Sequence, residues 1–147
     1  MSLEGEDFQL GKLDGWVAVR AGNAGALAAE LGPAPALRVP MPPADLKCAW
    51  YKLHAYVRPE VLKPDWSRDR ILLECQGLGL PVFGGSCSEI YRERAFRERG
   101  WDPSVALPVA RALGDTSLMF PVDPTLTGDD MRAVGAGVRA VVNQATV

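Results

Sequence analysis

The run Gly84-Gly-Ser-Cys-Ser-Glu-Ile-Tyr91 gathers two glycines, two hydroxyls, a thiol, a carboxylate and a phenol into one short stretch. Glycines let a backbone come close to a ligand, and Ser86, Ser88, Glu89 and Tyr91 supply the donors and acceptors that a sugar's hydroxyls require. A tight loop whose hydroxyls satisfy only its own backbone has the same composition, so both readings stand. Cys87 offers a second chemistry, because a thiol near a helix start can be acidified into a nucleophile. Its only candidate base is His54, the sole histidine and remote in sequence. A thiol-dependent enzyme is therefore the weakest reading.

Other chemistries find less support. Cys48, Cys75 and Cys87 fit no zinc spacing, so no metal site is expected. Arg68-Asp69-Arg70 lacks the glycines that bring backbone amides to a phosphate, and reads as the charged first turn of a helix. Between Tyr91 and Arg99 the charges alternate in sign, which fits a solvated helical face. With 16 basic against 18 acidic residues the net charge is −2, and this leaves no electrostatic footprint for nucleic acid or anionic lipid. No apolar run approaches the ~20 residues that span a bilayer, and no export signal is present; free thiols then point to the cytoplasm.

These side chains need a scaffold, and 147 residues with 48% hydrophobic and 23% charged content suffice for one folded domain. Over 10–31, Leu13, Trp16, Val17, Ala24, Leu27 and Leu31 share one helical face, bordered by Arg20 and Asn23 and stopped by Gly32 and Pro33. The proline-rich stretch 32–43 reads as an extended connector without a ladder. Residues 50–57 have strand composition, with Tyr51, Leu53, Ala55 and Val57 on the core side and Trp50, Lys52, His54 and Tyr56 on the other. Ser67 caps a helix with the stripe Ile71, Leu72, Cys75 and Leu78, closed by Gly79. Leu80–Phe83 and Ser117–Phe120 read as short strands, and Pro108–Leu113 as a short helix. Thr127-Gly-Asp-Asp130 caps a final helix along Met131, Val134, Val138 and Val141. The count predicts an α+β fold, a small antiparallel or mixed sheet flanked by helices.

The order of these segments, from Ala49-Trp-Tyr-Lys52 through the Gly84–Tyr91 run and Leu107-Pro-Val-Ala-Arg-Ala-Leu113 to Ser117-Leu-Met-Phe-Pro-Val-Asp-Pro-Thr-Leu-Thr127, resembles the C-terminal small domain of the DegT/DnrJ/StrS-type nucleotide-sugar aminotransferases. The resemblance divides the chain into a leader at 1–9, part of which fits an expression scar, and a small domain at 10–147 that begins with the interdomain helix. It implies a parent enzyme of polysaccharide biosynthesis that uses pyridoxal phosphate to move an amino group from glutamate or glutamine onto a nucleotide-linked keto-sugar. It further implies a homodimer and a large N-terminal domain that carries the cofactor lysine. Ser86, Ser88, Glu89 and Tyr91 would then contact the sugar nucleotide. Ser86, Cys48 and Asp123 stand where many relatives carry histidine.

Schiff-base chemistry requires a desolvated lysine. Lys12, Lys47, Lys52 and Lys63 all lack the serine- and glycine-rich setting of the family's cofactor lysine, so this chain alone is expected to bind no pyridoxal phosphate and to be inactive. The alternative from a different class is a non-catalytic α+β module for metabolite binding or assembly, because fold does not fix function.

Overall fold

A computed structural model describes residues 10–85 and 87–147; the leader expected at 1–9 and the candidate Ser86 lie outside the described residues. The elements follow as α1 (Leu13–Leu31), β1 (Leu37–Arg38), β2 (Lys52–Val57), α2 (Arg68–Gly77), β3 (Phe83–Gly84), α3 (Arg94–Arg97), α4 (Pro108–Thr116), β4 (Ser117–Pro121) and α5 (Gly128–Ala145). Single 3-10 turns occupy Pro59–Val61 and Ile90–Arg92. The fold is α+β, as expected. Its sheet runs β1-β2-β4-β3, with every pairing antiparallel.

Strict alternation fixes the faces of the sheet. Leu53, Ala55 and Val57 are buried while Lys52, His54 and Tyr56 are half-buried. In the register Leu53 stands opposite Phe120 and Ala55 opposite Leu118, so the two central strands turn these four side chains to one side. Against that side pack Ala24, Leu27 and Leu31 of α1, Ile71 and Cys75 of α2, and Met131, Val138 and Val142 of α5. Each fully buried Leu, Val or Phe contributes roughly 1.5–3 kcal/mol, which makes burial the main determinant of how the helices are placed. Arg139 ties α5 to α1, its Nη1 lying 3.1 Å from Glu30 Oε2 and donating to the Glu30 carbonyl at 3.2 Å.

Local signals set the helix boundaries. Arg70 N donates to Ser67 Oγ at 3.2 Å, and the turn after α2 is made by Gly79 at φ 74°. At α5, Asp130 N donates to Thr127 Oγ1 at 3.2 Å while Thr127 N donates to Asp130 Oδ2 at 2.8 Å, a reciprocal capping box.

Several sequence expectations are corrected by tertiary packing. The connector does contain a ladder: Leu37 and Arg38, flanked by prolines on both sides, pair with Val57 and Tyr56 as a two-residue edge strand. The apolar face of α1 is buried only from Asn23 onward, and Leu13 and Trp16 remain 49% and 38% exposed. Asn23 is no bordering residue but a buried one. β2 begins at Lys52, because Trp50 takes a positive φ of 50° and Tyr51 is exposed. Leu78 leaves the α2 stripe for solvent, and only Phe83–Gly84 pairs where a strand from Leu80 was expected. Among the described residues no helix is long and apolar enough to cross a membrane, and no group of His, Cys, Asp or Glu could hold a metal ion.

Candidate functional site

The segment between β3 and α4 carries the polar run. Gly84 pairs with Leu118 of the central strand, which anchors the start of the loop to the sheet. Ser88 lies against α4, where a Cβ on Gly114 would overlap its hydroxyl oxygen. The backbone then turns once at Ile90–Arg92, enters α3, and returns to α4. This path brings residues from two short helices and one turn around a common recess.

Glu89 is the hub of the turn. Its Oε1 accepts from the Tyr91 hydroxyl at 2.5 Å, and its Oε2 lies 3.3 Å from Arg92 Nη1. The Tyr91 hydrogen bond is the main reason the Glu89 carboxyl sits below the usual carboxylate range, with Arg92 and Arg111 adding positive charge. The same bond pushes the Tyr91 phenol up. At neutral pH the pair is therefore carboxylate and neutral phenol. Tyr91 spends its only proton on Glu89 and keeps its oxygen as an acceptor, while Glu89 retains lone pairs for a ligand's hydroxyls.

Glu89 and Tyr91 line a recess of about 410 Å³ together with Arg92, Arg97, Asp102 and Arg111. Of the four residues expected to bind substrate, these two share the recess, Ser88 faces Gly114, and Ser86 lies outside the described residues. The arginines and Asp102 were not singled out from sequence. Alternating charge over Tyr91–Arg99 reads as a solvated face, and only the packing of the turn beside α4 brings Arg92 and Arg97 to Arg111.

Cys87 is not prepared as a nucleophile. Its Sγ donates to Glu93 Oε1 at 3.2 Å, and that bond holds the thiol above its ordinary value. His54 sits in the sheet, where burial first and then the charge of Lys52 lower its pKa.

Asn23 links α1 to the turn before α5. Its side-chain amide donates to the carbonyls of Asp123 and Leu126 at 3.1 and 2.9 Å. The Asp123 carboxylate accepts from Thr125 N and Oγ1, which lowers its pKa, and Arg20 lowers it further. Asp123 therefore serves the turn itself.

No family model and no curated protein matches the chain. Among solved structures, the aminotransferase from Psychrobacter cryohalolentis aligns with a TM-score of 0.84 at 39% identity, over 95% of this chain and 37% of that one. A DegT DnrJ EryC1 StrS aminotransferase from Brucella abortus aligns with a TM-score of 0.71 at 21% identity, over 89% of this chain and 32% of its own. This chain has the fold of a DegT/DnrJ/StrS-type aminotransferase domain. The DesV structure of S. venezuelae, solved in complex with a ketimine intermediate, has a TM-score of 0.77 at 19% identity and is covered over 34% of its length.

The aminotransferase domain thus spans about one third of the proteins it matches. Lys47 is exposed, exposed Lys63 donates to the Gln144 carbonyl at 2.7 Å, and half-buried Lys52 lies over the Tyr51 ring. Lys12 is exposed as well.

Proposed function

We propose that residues 10–147 form the small C-terminal domain of a pyridoxal-phosphate-dependent sugar aminotransferase, a dimeric cytoplasmic enzyme whose large domain supplies the cofactor lysine. The observation that carries this reading is the 39% identity to an aminotransferase over 95% of the chain. Other neighbours fit it. DesI was solved in the presence of its TDP-sugar product, and GDP-4-keto-6-deoxymannose-3-dehydratase with a trapped PLP-glutamate geminal diamine. The uncovered apolar residues Leu13, Trp16 and Val19 of α1 suit a surface that a larger part of the enzyme covers.

In this reading the large domain would hold pyridoxal phosphate, whose chemistry would serve amino transfer from glutamate or glutamine to the keto-sugar. The small domain closes the sugar side of the site. Glu89 accepts hydrogen bonds from sugar hydroxyls, and Tyr91, fixed by Glu89, presents its phenol oxygen to a further donor. Ser86 and Ser88 supply short hydroxyl contacts from the same loop. Holding a polyhydroxylated substrate in one orientation lowers the barrier to the reaction without any chemistry by these groups.

The test is a chimera in which this chain replaces the matching third of the Psychrobacter cryohalolentis aminotransferase. We expect it to fold, bind pyridoxal phosphate and transfer an amino group from glutamate to a nucleotide-linked keto-sugar. The 147-residue chain alone, incubated with cofactor and treated with borohydride, should show no stoichiometric adduct by mass. A folded chimera that binds cofactor yet transfers to no keto-sugar contradicts the sugar aminotransferase reading.

A further inference from the structure

We infer that the recess between the Ile90–Arg92 turn, α3 and α4 binds an oxyanion of its ligand, a phosphate or a carboxylate, gripped by Arg97 and Arg111 with Arg92 as a fixed wall. The basis is an imbalance of partners. Elsewhere among the described residues most arginines are spent on a partner: Arg94 pairs with Glu98, Arg70 with Asp65, Arg132 with Asp129 and Arg139 with Glu30, while Arg58 donates to the Pro35 carbonyl and Arg38 and Arg99 lie over the rings of Tyr56 and Trp101. In the recess Arg97 has no side-chain hydrogen bond or ion pair among the described residues. The ion pair of Arg111 is with Asp115 on its own helix, at 3.7 Å and with both side chains exposed, a contact of a kind that contributes little, and its charge also acts on Glu89. Glu89 is already committed to Tyr91 and Arg92, so the one uncommitted acid on the wall is Asp102.

Two guanidinium forks, Arg97 unpaired among the described residues and Arg111 only loosely paired, line one volume of about 410 Å³ and match the planar or tetrahedral oxygens of a carboxylate or phosphate. Glu89 gives the site its shape. By holding Arg92 and Tyr91 it fixes two walls and leaves Arg97 and Arg111 to the ligand. The inference stands on these side chains and not on the aminotransferase reading, so either can fail alone.

The test uses the 147-residue chain, with inorganic diphosphate, uridine diphosphate, glucuronate and glucose as probes and the arginine side-chain NMR signals as the readout. Diphosphate should shift the Arg97 and Arg111 signals saturably, and glucose should not. Binding should weaken as ionic strength rises from 0.01 to 0.15 M, over which the screening length falls from about 30 to about 8 Å. Arg97→Gln and Arg111→Gln should each weaken diphosphate binding by about three- to tenfold, and Asp102→Asn should tighten it by about two- to fivefold, since exposed charge contacts are modest. Arg94→Gln, which removes a charge already paired with Glu98, should leave it unchanged. The gain on Asp102→Asn cannot come from misfolding, so it protects the test if an arginine variant is unstable. Tighter binding of uridine diphosphate than glucuronate assigns the oxyanion to a phosphate, and the reverse order assigns it to a sugar carboxylate. No saturable shift with any anion, or an equal loss on Arg94→Gln and Arg97→Gln, overturns the inference.

Discussion

Tyr91 donates its phenolic proton to Glu89, whose second oxygen meets Arg92, so that one 3-10 turn holds an acceptor oxygen, a carboxylate and a guanidinium in fixed relation. The arrangement is local, built within four consecutive residues. Its setting is not: Arg111 arrives from α4 and Arg97 from α3 to close the recess. A local unit on a non-local frame can keep its internal geometry while the recess adapts to a ligand.

Asn23 predicts a stability effect out of proportion to its small size. Asn23→Ala removes both donors to the Asp123 and Leu126 carbonyls at a position only 3% exposed. Leaving buried acceptors unpaired costs about 1–3 kcal/mol. Urea denaturation should show a lower midpoint with an unchanged slope. An unchanged midpoint would mean that the amide contributes nothing net.

Much of the scaffold was legible because its signals are local. The Thr127–Asp130 box, the Ser67 cap and the two-residue alternation of β2 depend on neighbours within four positions, and the structure forms all three. What failed depends on distant partners. Leu13 and Trp16 carry helical spacing, yet among the described residues they stay largely uncovered, and Asn23 reads as a polar border until the carbonyls before α5 meet it. β1 is visible only once β2 offers an edge. The recess arginines were hidden for the same reason, because a charged run looks alike whether or not another helix stands opposite.

Acid should weaken the start of α5. The Asp130 carboxyl is held below its ordinary value of 3.8, first by the Thr127 hydroxyl and then by the Thr127 amide. A carboxyl depressed on folding stabilises the fold above that value and loses the contribution as pH falls through its folded pKa. Melting temperature measured from pH 7 to 2.5 should fall steeply below about pH 4, in line with the unfolded carboxylate range. Asp130→Asn should be less stable at pH 7 and show a shallower acid slope. An unchanged slope would contradict the capping role.

The thiols should separate by environment. Cys48 and Cys87 are exposed, whereas Cys75 is fully buried and pushed up to about 11 by burial first and then by Glu74. At pH 8 a disulfide reagent should modify Cys48 promptly and Cys87 more slowly, because Glu93 keeps the Cys87 proton in place. Cys75 should react only on unfolding. Peptide mapping that finds Cys87 fastest would contradict the assignment.

The most direct measurement is single-turnover absorbance on the chimeric enzyme, which separates the glutamate half-reaction from amino transfer to the keto-sugar. Glu89→Gln and Tyr91→Phe should leave the first near normal and lower the efficiency of the second by about five- to a hundredfold, the loss expected for one buried polar contact of about 1–3 kcal/mol. Equal impairment of both half-reactions, or of neither, would contradict the claim that this loop reads the sugar.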